Sequence, residues 1–344
     1  MQKEIVERSR LLDEKGHLKQ VGFSKKPLLD YNRKDVKAGI FKIKEWDYYL
    51  VYNNDFGVAL TIADNAYMGL VSATYFDFKQ PTQKTETVMS LLPMGRWKLP
   101  SSATTGGIKF SNNKIKVEFI HDGKNRRIKF NMMNFYKTTS LHVDVSLSEE
   151  PAESMVIATP FKDFPKGFYY NQKIIGMKAT GSIRYRGSEY SFNKETSNAI
   201  LDWGRGVWPR KCTWYWGAAT GTLGGKPFGF NIGYGFGDTT ATTENMIFYE
   251  GKAHKLENVT FHIPINEKGK EDYMKPWKFT SSDGRFEMDF VPILDRNSFT
   301  TALVVSSKQH QVFGRFSGKA ILDDGKILEI KDFLGFAEKV KNVW

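Results

Sequence analysis

The chain has 344 residues, 40% of them hydrophobic and 14% aromatic, which is enough to bury one large domain or two of ordinary size. Its net charge is +12, but the basic residues are scattered and no run of cations exceeds two residues. This distribution lacks the basic helices and fingers of nucleic-acid-binding proteins. We therefore expect no nucleic-acid partner and, at most, weak contact with an anionic membrane surface.

The chain contains one cysteine, Cys212, so it cannot form an internal disulfide, which fits a reducing compartment. The N-terminal residues are polar, and no window approaches eighteen apolar residues. Neither a signal peptide nor a membrane-spanning segment is predicted from this pattern. We expect a cytoplasmic protein.

In chain order, residues 1–35 predict a short amphipathic helix and then an extended segment, with Val6, Leu11 and Leu12 forming the apolar stripe. From about residue 38, apolar residues alternate with a period of two, as in IFKIKEWDYYLVY, KIKVEFI and IGMKATGSIRYR. Turn signals such as Asp122-Gly123 separate these stretches. Many short strands joined by glycine-containing turns predict an all-β barrel or sandwich with few helices.

The chain also shows signs of two halves. Three of the twelve prolines fall between Glu149 and Asn171, where the alternation is weak. In addition, WDYY followed by FGVALTIAD in the first half resembles WYW followed by FGFNIGYGFGD in the second. We predict an N-terminal segment over residues 1–35 and two domains over residues 36–180 and 181–344.

The segment LDWGRGVWPRKCTWYWG contains half of the eight tryptophans. Its candidate ligand-binding and acidic residues are Asp202, Trp203, Arg205, Trp208, Trp214 and Trp216. On a strand, Trp214 and Trp216 share one face, and such an indole wall suits a flat apolar ligand or a cation held over the rings. Asp202 and Arg205 stand on either side of Trp203-Gly204, and a buried pair of these two would more often be structural than catalytic. The alternative is that these tryptophans fill a seam between two barrels.

The strand FGFNIGYGFGD places large apolar side chains on one face, and glycines with Asn231 on the other. A bare glycine face either lets an aromatic ring pack flat on the backbone or lines a ligand cavity. Glu244, Asn245 and His310 lie beside aromatic strands, where they either contact a ligand at a barrel mouth or belong to solvated loops. No phosphate-binding loop and no histidine or cysteine pair with metal-ligand spacing occurs, so we expect neither a metal site nor a dissociable cofactor.

Taken together, DWGRGVWPRKCTWYWG, FGFNIGYGFGD and FGRFSGKAILDDGK resemble the bacterial family labelled domain of unknown function 2804, over nearly the whole chain. That family is similar to carotenoid hydratases, tocopherol cyclases and AttH-like proteins. The resemblance implies two lipocalin-like antiparallel barrels packed together and an apolar, isoprenoid- or polyketide-like ligand. It also implies Tyr234 and Asp238 as site residues. Ser197 to Ile200 replace the histidines that precede the matching Trp-Gly in the hydratases.

Three functions follow from these observations. In the first, the protein hydrates, isomerises or cyclises an apolar unsaturated substrate, with Asp238 or Asp202 as a general acid whose pKa is raised by burial. Tyr234 and the tryptophans would then bind the substrate and stabilise developing positive charge. In the second, the protein carries a lipid without chemistry. In the third, it is a closed double barrel of structural role.

Overall fold

The computed structural model describes residues 2–302 and 305–343, apart from the side chains of residues 300–302 and 305. These residues form 24 β-strands and two single-turn 3-10 helices, Arg33–Asp35 and Ile40–Lys42. None of the helices in the described ranges is long and apolar enough to cross a membrane. The strands are β1 (Ser9–Arg10), β2 (Gly22–Ser24), β3 (Leu29–Asp30), β4 (Ile43–Tyr52), β5 (Phe56–Asp64), β6 (Met68–Asp77), β7 (Thr82–Leu91), β8 (Gly106–Ser111), β9 (Ile115–His121), β10 (Arg126–Tyr136), β11 (Thr139–Ser148), β12 (Met155–Pro160), β13 (Phe168–Tyr185), β14 (Ser188–Phe192), β15 (Asn198–Val207), β16 (Lys211–Leu223), β17 (Lys226–Tyr234), β18 (Met246–Tyr249), β19 (Lys252–Lys255), β20 (Val259–His262), β21 (Trp277–Ser281), β22 (Phe286–Ala302), β23 (Val305–Ile321) and β24 (Ile327–Val343).

The strands form two large antiparallel sheets. The first follows the order β7-β6-β5-β4-β15-β13-β11-β10-β9-β8, and the second follows β19-β18-β17-β16-β24-β23-β22-β21-β20. Each sheet curls around an interior, because strands far apart in the order meet across it. In the first sheet, the ring centres of Tyr49 on β4 and Phe119 on β9 lie 5.2 Å apart. In the second, the ring centres of Tyr234 on β17 and Phe261 on β20 lie 5.5 Å apart. The predicted all-β fold of two lipocalin-like barrels is confirmed.

Along the chain, the last strand of the first sheet ends at Val207 and the first strand of the second sheet begins at Lys211. The boundary between the two sheets therefore lies between these residues and not between residues 180 and 181. The predicted boundary falls inside β13, which pairs with β15 through its first half and with β11 through its second. The proline-containing stretch 149–171 contains β12 and the start of β13. Both are buried on both faces, so their sequences lack the alternation that identifies a strand. The two similar segments form the first hairpin of each sheet, β4-β5 and β16-β17.

The N-terminal segment is extended rather than helical. β1 pairs in parallel with β3, and β2 joins the first sheet through β12. Leu11 and Leu12 are buried in the first barrel's core, whereas Val6 is 74% exposed, so the predicted amphipathic helix was wrong. Leu11 and Leu12 pack into this barrel from an extended chain, so their spacing need not follow the period of a helix. Gln2 reaches the second half, where its side-chain oxygen accepts a hydrogen bond from the backbone of Thr243 at 2.7 Å.

Three apolar layers result: the interior of each barrel, and the layer between the barrels, which we call the seam. Alternation along β15 sends Leu201 and Trp203 into the first barrel's interior and Ile200 into the seam. Tyr52 links the two sheets here, since its hydroxyl accepts a hydrogen bond from Thr220 N at 2.8 Å and donates to Thr220 O at 3.1 Å. The seam therefore joins the two barrels by polar bonds as well as by packing.

Candidate functional site

The tryptophan-rich segment divides between two layers. Trp203 lies in the first barrel's interior, while Trp208, Trp214 and Trp216 belong to the seam. These three indoles therefore do fill the space between the barrels, which was one of the two predicted alternatives.

Asp202 and Arg205, whose pairing the sequence left open, do not pair with each other. Residues three apart on a strand point to opposite faces, so Asp202 lies in the seam and Arg205 in the first barrel's interior. Arg205 is fully buried, and its guanidinium forms an ion pair with the Asp47 carboxylate at 3.0 Å. The same guanidinium lies over the Trp203 ring, 4.2 Å from the ring centre. Burial raises the pKa of Asp47, although the Arg205 guanidinium opposes this effect.

Asp202 instead anchors a buried network in the seam. Its carboxylate accepts hydrogen bonds from Asn171 Nδ2 at 2.6 Å, Lys173 Nζ at 2.8 Å and Trp46 Nε1 at 3.0 Å. These residues come from β4, β13 and β15, which are neighbours in the first sheet. The Lys173 ammonium also lies 4.1 Å from the ring centre of Trp216, across the seam. All of these partners bring a donor to the Asp202 carboxylate, which therefore acts as an acceptor. It holds Trp46 and Lys173 in place, and Lys173 in turn lies over Trp216.

The second barrel contributes a further acid to this network. Trp216 Nε1 donates to Asn231 Oδ1 at 2.7 Å, and Asn231 Nδ2 donates to the backbone oxygen of Glu244 at 2.8 Å. The Glu244 carboxylate lies 4.0 Å from Lys173 Nζ. Burial raises the pKa of Glu244, while the nearby Lys173 ammonium opposes the shift. Asn245 accepts a hydrogen bond from the backbone of β17 at 2.7 Å, so the structure brings three sequence-predicted residues, Asn231, Glu244 and Asn245, together.

Glu338 on β24 is the third buried acid of the seam. Its carboxyl oxygens accept hydrogen bonds from Trp214 Nε1 at 3.0 Å and from Gln311 Nε2 at 2.9 Å. Gln311 is itself held by Arg296, whose guanidinium donates to the amide oxygen at 3.0 Å. Burial raises the pKa of Glu338 to about 7, and the hydrogen bond from Trp214 offsets only part of this shift. Glu338 can therefore hold a proton close to neutral pH, within an aromatic environment.

Phe236 sits in the middle of a group of rings that we call the aromatic box. The distances from its ring centre are 4.7 Å to Tyr169, 5.0 Å to Trp208, 5.3 Å to Trp214 and 5.4 Å to Phe161. The fifth member of the box is Trp46, which packs edge-on against Trp208 at 4.8 Å. Two walls of the box are bonded to acids, because Trp46 donates to Asp202 and Trp214 donates to Glu338.

The glycine face of β17 lies against the first barrel. A Cβ atom on Gly229 would lie 2.7 Å from Ile175 Cγ2, and one on Gly233 would lie 2.8 Å from Glu244 Oε1. The glycines therefore allow Ile175 of the first barrel and the Glu244 carboxylate to approach the β17 backbone closely. The close neighbours of these two glycines are an isoleucine and a carboxylate, and not the aromatic ring that the packing alternative predicted. Their neighbours Phe228 and Phe230 fill the second barrel's interior.

Asp238 lies outside the seam network in this structure. Its side chain accepts a hydrogen bond from the backbone of Thr240 at 3.0 Å, and its backbone N–H donates to Pro160 O at 2.7 Å. The bonds from Thr240 hold the pKa of Asp238 below its usual range, so the expectation that burial raises it was wrong. The strand ends at Tyr234, and Gly235 turns the chain at a φ of 88°, so the alternation read through Asp238 stops there.

Tyr234 lies in the second barrel's interior, and His310 lies at the end of that barrel. Tyr234 stacks on Tyr215 with ring centres 4.4 Å apart, and burial raises its pKa to about 12. His310 Nδ1 bonds Asp295 at 2.7 Å, and the imidazole stacks on Tyr273 at 3.8 Å. The structure thus separates Tyr234 and His310 from the seam, although the sequence grouped them with the tryptophans.

Sequence reasoning missed several residues of the seam. Lys173, Glu338, Gln311 and Trp46 stand in ordinary strand patterns, and Phe236 was counted only as a member of an apolar face. One signal was present: Lys173 and Glu338 each stand two residues from apolar side chains on the same face of a strand, Ile175 in one case and Phe336 in the other. A charge on an otherwise apolar strand face indicates a buried charge.

Among the described residues, no group of three or more histidine, cysteine, aspartate or glutamate side chains is arranged to hold a metal ion. Residues 2–344 match the family described as "Domain of unknown function (DUF2804)". A comparison with curated proteins gives no significant match.

Solved structures with similar folds share little sequence with this chain. A putative AttH from Nitrosomonas europaea is 12% identical, with a TM-score of 0.55 over 87% of this chain and 92% of that one. Kievitone hydratase from Nectria haematococca is 13% identical, with a TM-score of 0.48 over 88% of both chains. CghA with Sch210972 is 9% identical, with a TM-score of 0.43 over 88% of both chains. The likeness to the AttH structure shows the fold alone.

Proposed function

This chain belongs to the DUF2804 family, and we propose that it is an enzyme that protonates a carbon–carbon double bond of an apolar, lipid- or isoprenoid-like small molecule in the seam. The observation that carries this proposal is the bond between Trp214 and Glu338. It joins a buried acid to the wall of an aromatic box. Buried acids add little stability to a closed seam, because apolar groups of similar volume often serve as well or better.

Glu338 is the proton donor in this proposal. A general acid works best when its pKa lies near the working pH, and burial brings the pKa of Glu338 to about 7. Asp202 and Lys173 play a different part, since their ion pair at 2.8 Å positions Trp46 and places a cation over Trp216. The sequence-based assignment of the acid to Asp202 or Asp238 is replaced by Glu338.

The reaction begins when the Glu338 proton forms a bond to one alkene carbon, leaving a positive charge on the neighbouring carbon and a carboxylate on Glu338. The indole faces of the box stabilise this carbocation through their negative π surfaces. Return of a proton from an adjacent carbon to Glu338 gives an isomer. Water that adds to the carbocation passes a proton to the Glu338 carboxylate and gives an alcohol. Attack by a second double bond closes a ring and moves the positive charge to a further carbon, and loss of a proton from the carbon beside it to the Glu338 carboxylate completes the reaction. The first step is common to all three outcomes.

Phe236 marks where the apolar part of the ligand binds. Its side chain is 7% exposed and occupies the box in this structure. Gly235 and Gly237, at φ values of 88° and 82°, flank it and let the loop adopt backbone conformations that other residues rarely reach. In our proposal the ligand displaces the Phe236 ring, and the loop re-closes over it.

The test begins with native mass spectrometry and organic extraction of the purified protein and of Phe236→Ala. The variant leaves an apolar space in the box, and such spaces bind small apolar molecules. We expect an unsaturated apolar molecule in the extract, enriched in the variant. Its class then defines the substrate for turnover.

Turnover is measured in D2O with Glu338→Gln, which keeps the shape and hydrogen bonds of the side chain. The matched control is Glu329→Gln, an exposed position on the same strand. We expect deuterium in the product of the native protein and of the control, and about 100-fold less with Glu338→Gln, the usual contribution of a general acid. A ligand that is bound but gains no deuterium identifies a carrier. An empty seam in both the native protein and Phe236→Ala identifies a structural role.

A further inference from the structure

Large apolar side chains are exposed at one end of the first barrel, the end at which β4 and β6 begin and β5 and β7 end. Phe41, just before β4, is 56% exposed, and Leu91, the last residue of β7, is 86% exposed. Ile40 and Leu92 are exposed beside them. We call these four residues the apolar tip. Single exposed apolar residues are common on protein surfaces, but a group of them at one place marks an interaction surface.

Hydrogen bonds hold the segments of the apolar tip together. Lys44 Nζ donates to Phe41 O and to Asn65 O, at 3.1 Å in both cases, and the ammonium lies 4.5 Å from the ring centre of Tyr67. The backbone N–H of Leu92 donates to Tyr67 O at 3.0 Å. The three segments that carry Phe41, Tyr67 and Leu92 are therefore in contact.

The aromatic box lies at the same end of the molecule. Lys42, next to the apolar tip, has its ammonium 5.0 Å from the ring centre of Phe164, in the loop 161–167 that joins β12 to β13. That loop also contributes Phe161 to the box, where its ring centre lies 5.4 Å from that of Phe236. The apolar tip and the box are thus connected through this loop.

Basic residues are concentrated around the apolar tip and the box. The segments in contact at this end are residues 40–42, 65–67, 91–98, 161–167, 208–211 and 235–238. They contain seven basic residues, six of them exposed and Lys166 half-buried. Their acidic residues are Asp163 and Asp238, so these short segments carry +5 of the chain's net charge of +12. The fold therefore brings together cations that are scattered along the sequence.

An anionic lipid bilayer is the partner that satisfies both features of this surface. Basic side chains close to a membrane are attracted to its anionic headgroups, and exposed apolar side chains insert at the boundary between headgroups and acyl chains. A nucleic acid would use the positive charge but would leave the aliphatic side chains of Ile40, Leu91 and Leu92 in water. The combination of the two features favours a lipid surface.

We propose that this end of the molecule docks on an anionic lipid bilayer, with the apolar tip inserted among the lipids and the basic residues on their headgroups. The aromatic box then lies beside the bilayer, so an apolar ligand passes between them without crossing bulk water. This route for the ligand rests on the function proposed above, whereas the docking itself depends on no reaction.

Docking is measured by co-sedimentation with vesicles of phosphatidylserine and phosphatidylcholine in equal parts, and with vesicles of phosphatidylcholine alone, at about 0.15 M salt. The charge variant, Lys162→Gln/Arg210→Gln, removes two exposed cations beside the box. Its matched control, Lys252→Gln/Lys319→Gln, removes the same charge from exposed positions on β19 and β23, near the opposite end of the second barrel.

The tip variant, Phe41→Ser/Leu91→Ser/Leu92→Ser, removes apolar surface from exposed positions and leaves the charge unchanged. Thermal unfolding followed by circular dichroism checks that every variant is as well folded as the native protein. Glu338→Gln is measured in the same way, because it tests the proposed reaction and should not affect docking.

We expect the native protein, the control and Glu338→Gln to bind the phosphatidylserine vesicles equally and to leave the phosphatidylcholine vesicles unbound. The charge variant should bind about 30-fold more weakly, since two basic residues at the surface are lost. The tip variant should bind about tenfold more weakly, because three apolar side chains no longer insert.

Native protein that does not bind the phosphatidylserine vesicles would overturn the proposal. An equal loss of binding in the control would also overturn it, because net charge alone would then drive association. So would a tip variant that binds as the native protein does while the charge variant does not. That result would identify a surface for a polyanion such as a nucleic acid or an acidic protein.

Discussion

The interior of the second barrel and the seam are both dense in aromatic rings, but they differ in charge. In the barrel interior, Trp277 packs on Phe290 at 5.6 Å and Phe290 packs on Phe316 at 4.5 Å, and the indole N–H of Trp277 donates to a backbone oxygen, that of Tyr273. In the seam, Trp46 and Trp214 pack in the same way but each donates to a buried carboxyl group. In this comparison the rings without buried acids form a core, whereas the rings bonded to buried acids, among them Glu338 with its raised pKa, form the candidate site.

The difference also predicts how each layer responds to change. An apolar interior loses stability through lost contacts, independently of pH. A layer with buried charges loses stability when a charge loses its partner, and its stability varies with pH. The three predictions below use this contrast, beginning with the largest effect.

Replacing Lys173 by methionine should have the largest effect. Methionine preserves much of the side-chain volume but leaves Asp202 without its cation and removes the charge 4.0 Å from Glu244. Removing one partner of a buried ion pair costs about 3–5 kcal/mol in the free energy of unfolding. Urea unfolding followed by Trp fluorescence measures this loss.

The double variant Lys173→Met/Asp202→Asn provides the control for this prediction. If the cost of Lys173→Met arises from the stranded Asp202 charge, the second change should restore part of the lost stability, giving a coupling of about 1–3 kcal/mol. Strictly additive losses would show that Lys173 contributes by packing alone, and the seam would then resemble the barrel interior.

The second prediction concerns the pH dependence that Glu338 gives to folding. Its pKa is raised from 4.5 to about 7 in the folded protein. Between these values the folded state keeps a proton that the unfolded state has lost, so stability falls as the pH rises from 4.5 to 7 and then levels off. The fall due to this group is about 3 kcal/mol. Glu338→Gln should remove it when unfolding is measured from pH 4.5 to 8.

Ile232→Val supplies the comparison for the pH series, because Ile232 is buried in the second barrel's interior. It should lower stability by about 0.5–1.5 kcal/mol at every pH and keep the native slope. A slope unchanged by Glu338→Gln would mean that Glu338 does not hold a proton near neutral pH, and the proposed proton donor would be excluded.

The sequence indicates the fold better than the site, for reasons visible in single strands. Along β17, alternation correctly assigns Phe228 and Phe230 to one face, and Gly229 and Asn231 to the other. It fails where both faces of a strand are buried, as in the first half of β13, because the polar residues Asn171, Gln172 and Lys173 are themselves buried and mark no outer face. That half carries Lys173, whose partners Asp202 and Glu244 are 29 and 71 residues away in the chain, so only the fold brings them together.

The smallest effect is expected at Asp238, one of the two acids that the sequence offered as the general acid, which the structure places in a loop. Its carboxylate bonds the backbone of Thr240, and the amide oxygen of asparagine accepts the same bond. Asp238→Asn should therefore change the free energy of unfolding by less than about 0.5 kcal/mol, as is usual for changes away from the core. It should also leave turnover of the extracted ligand unchanged. A loss of turnover as large as that of Glu338→Gln, with stability intact, would return the proton donor to the loop beside Phe236 and make the seam acids a supporting network rather than the reactive one.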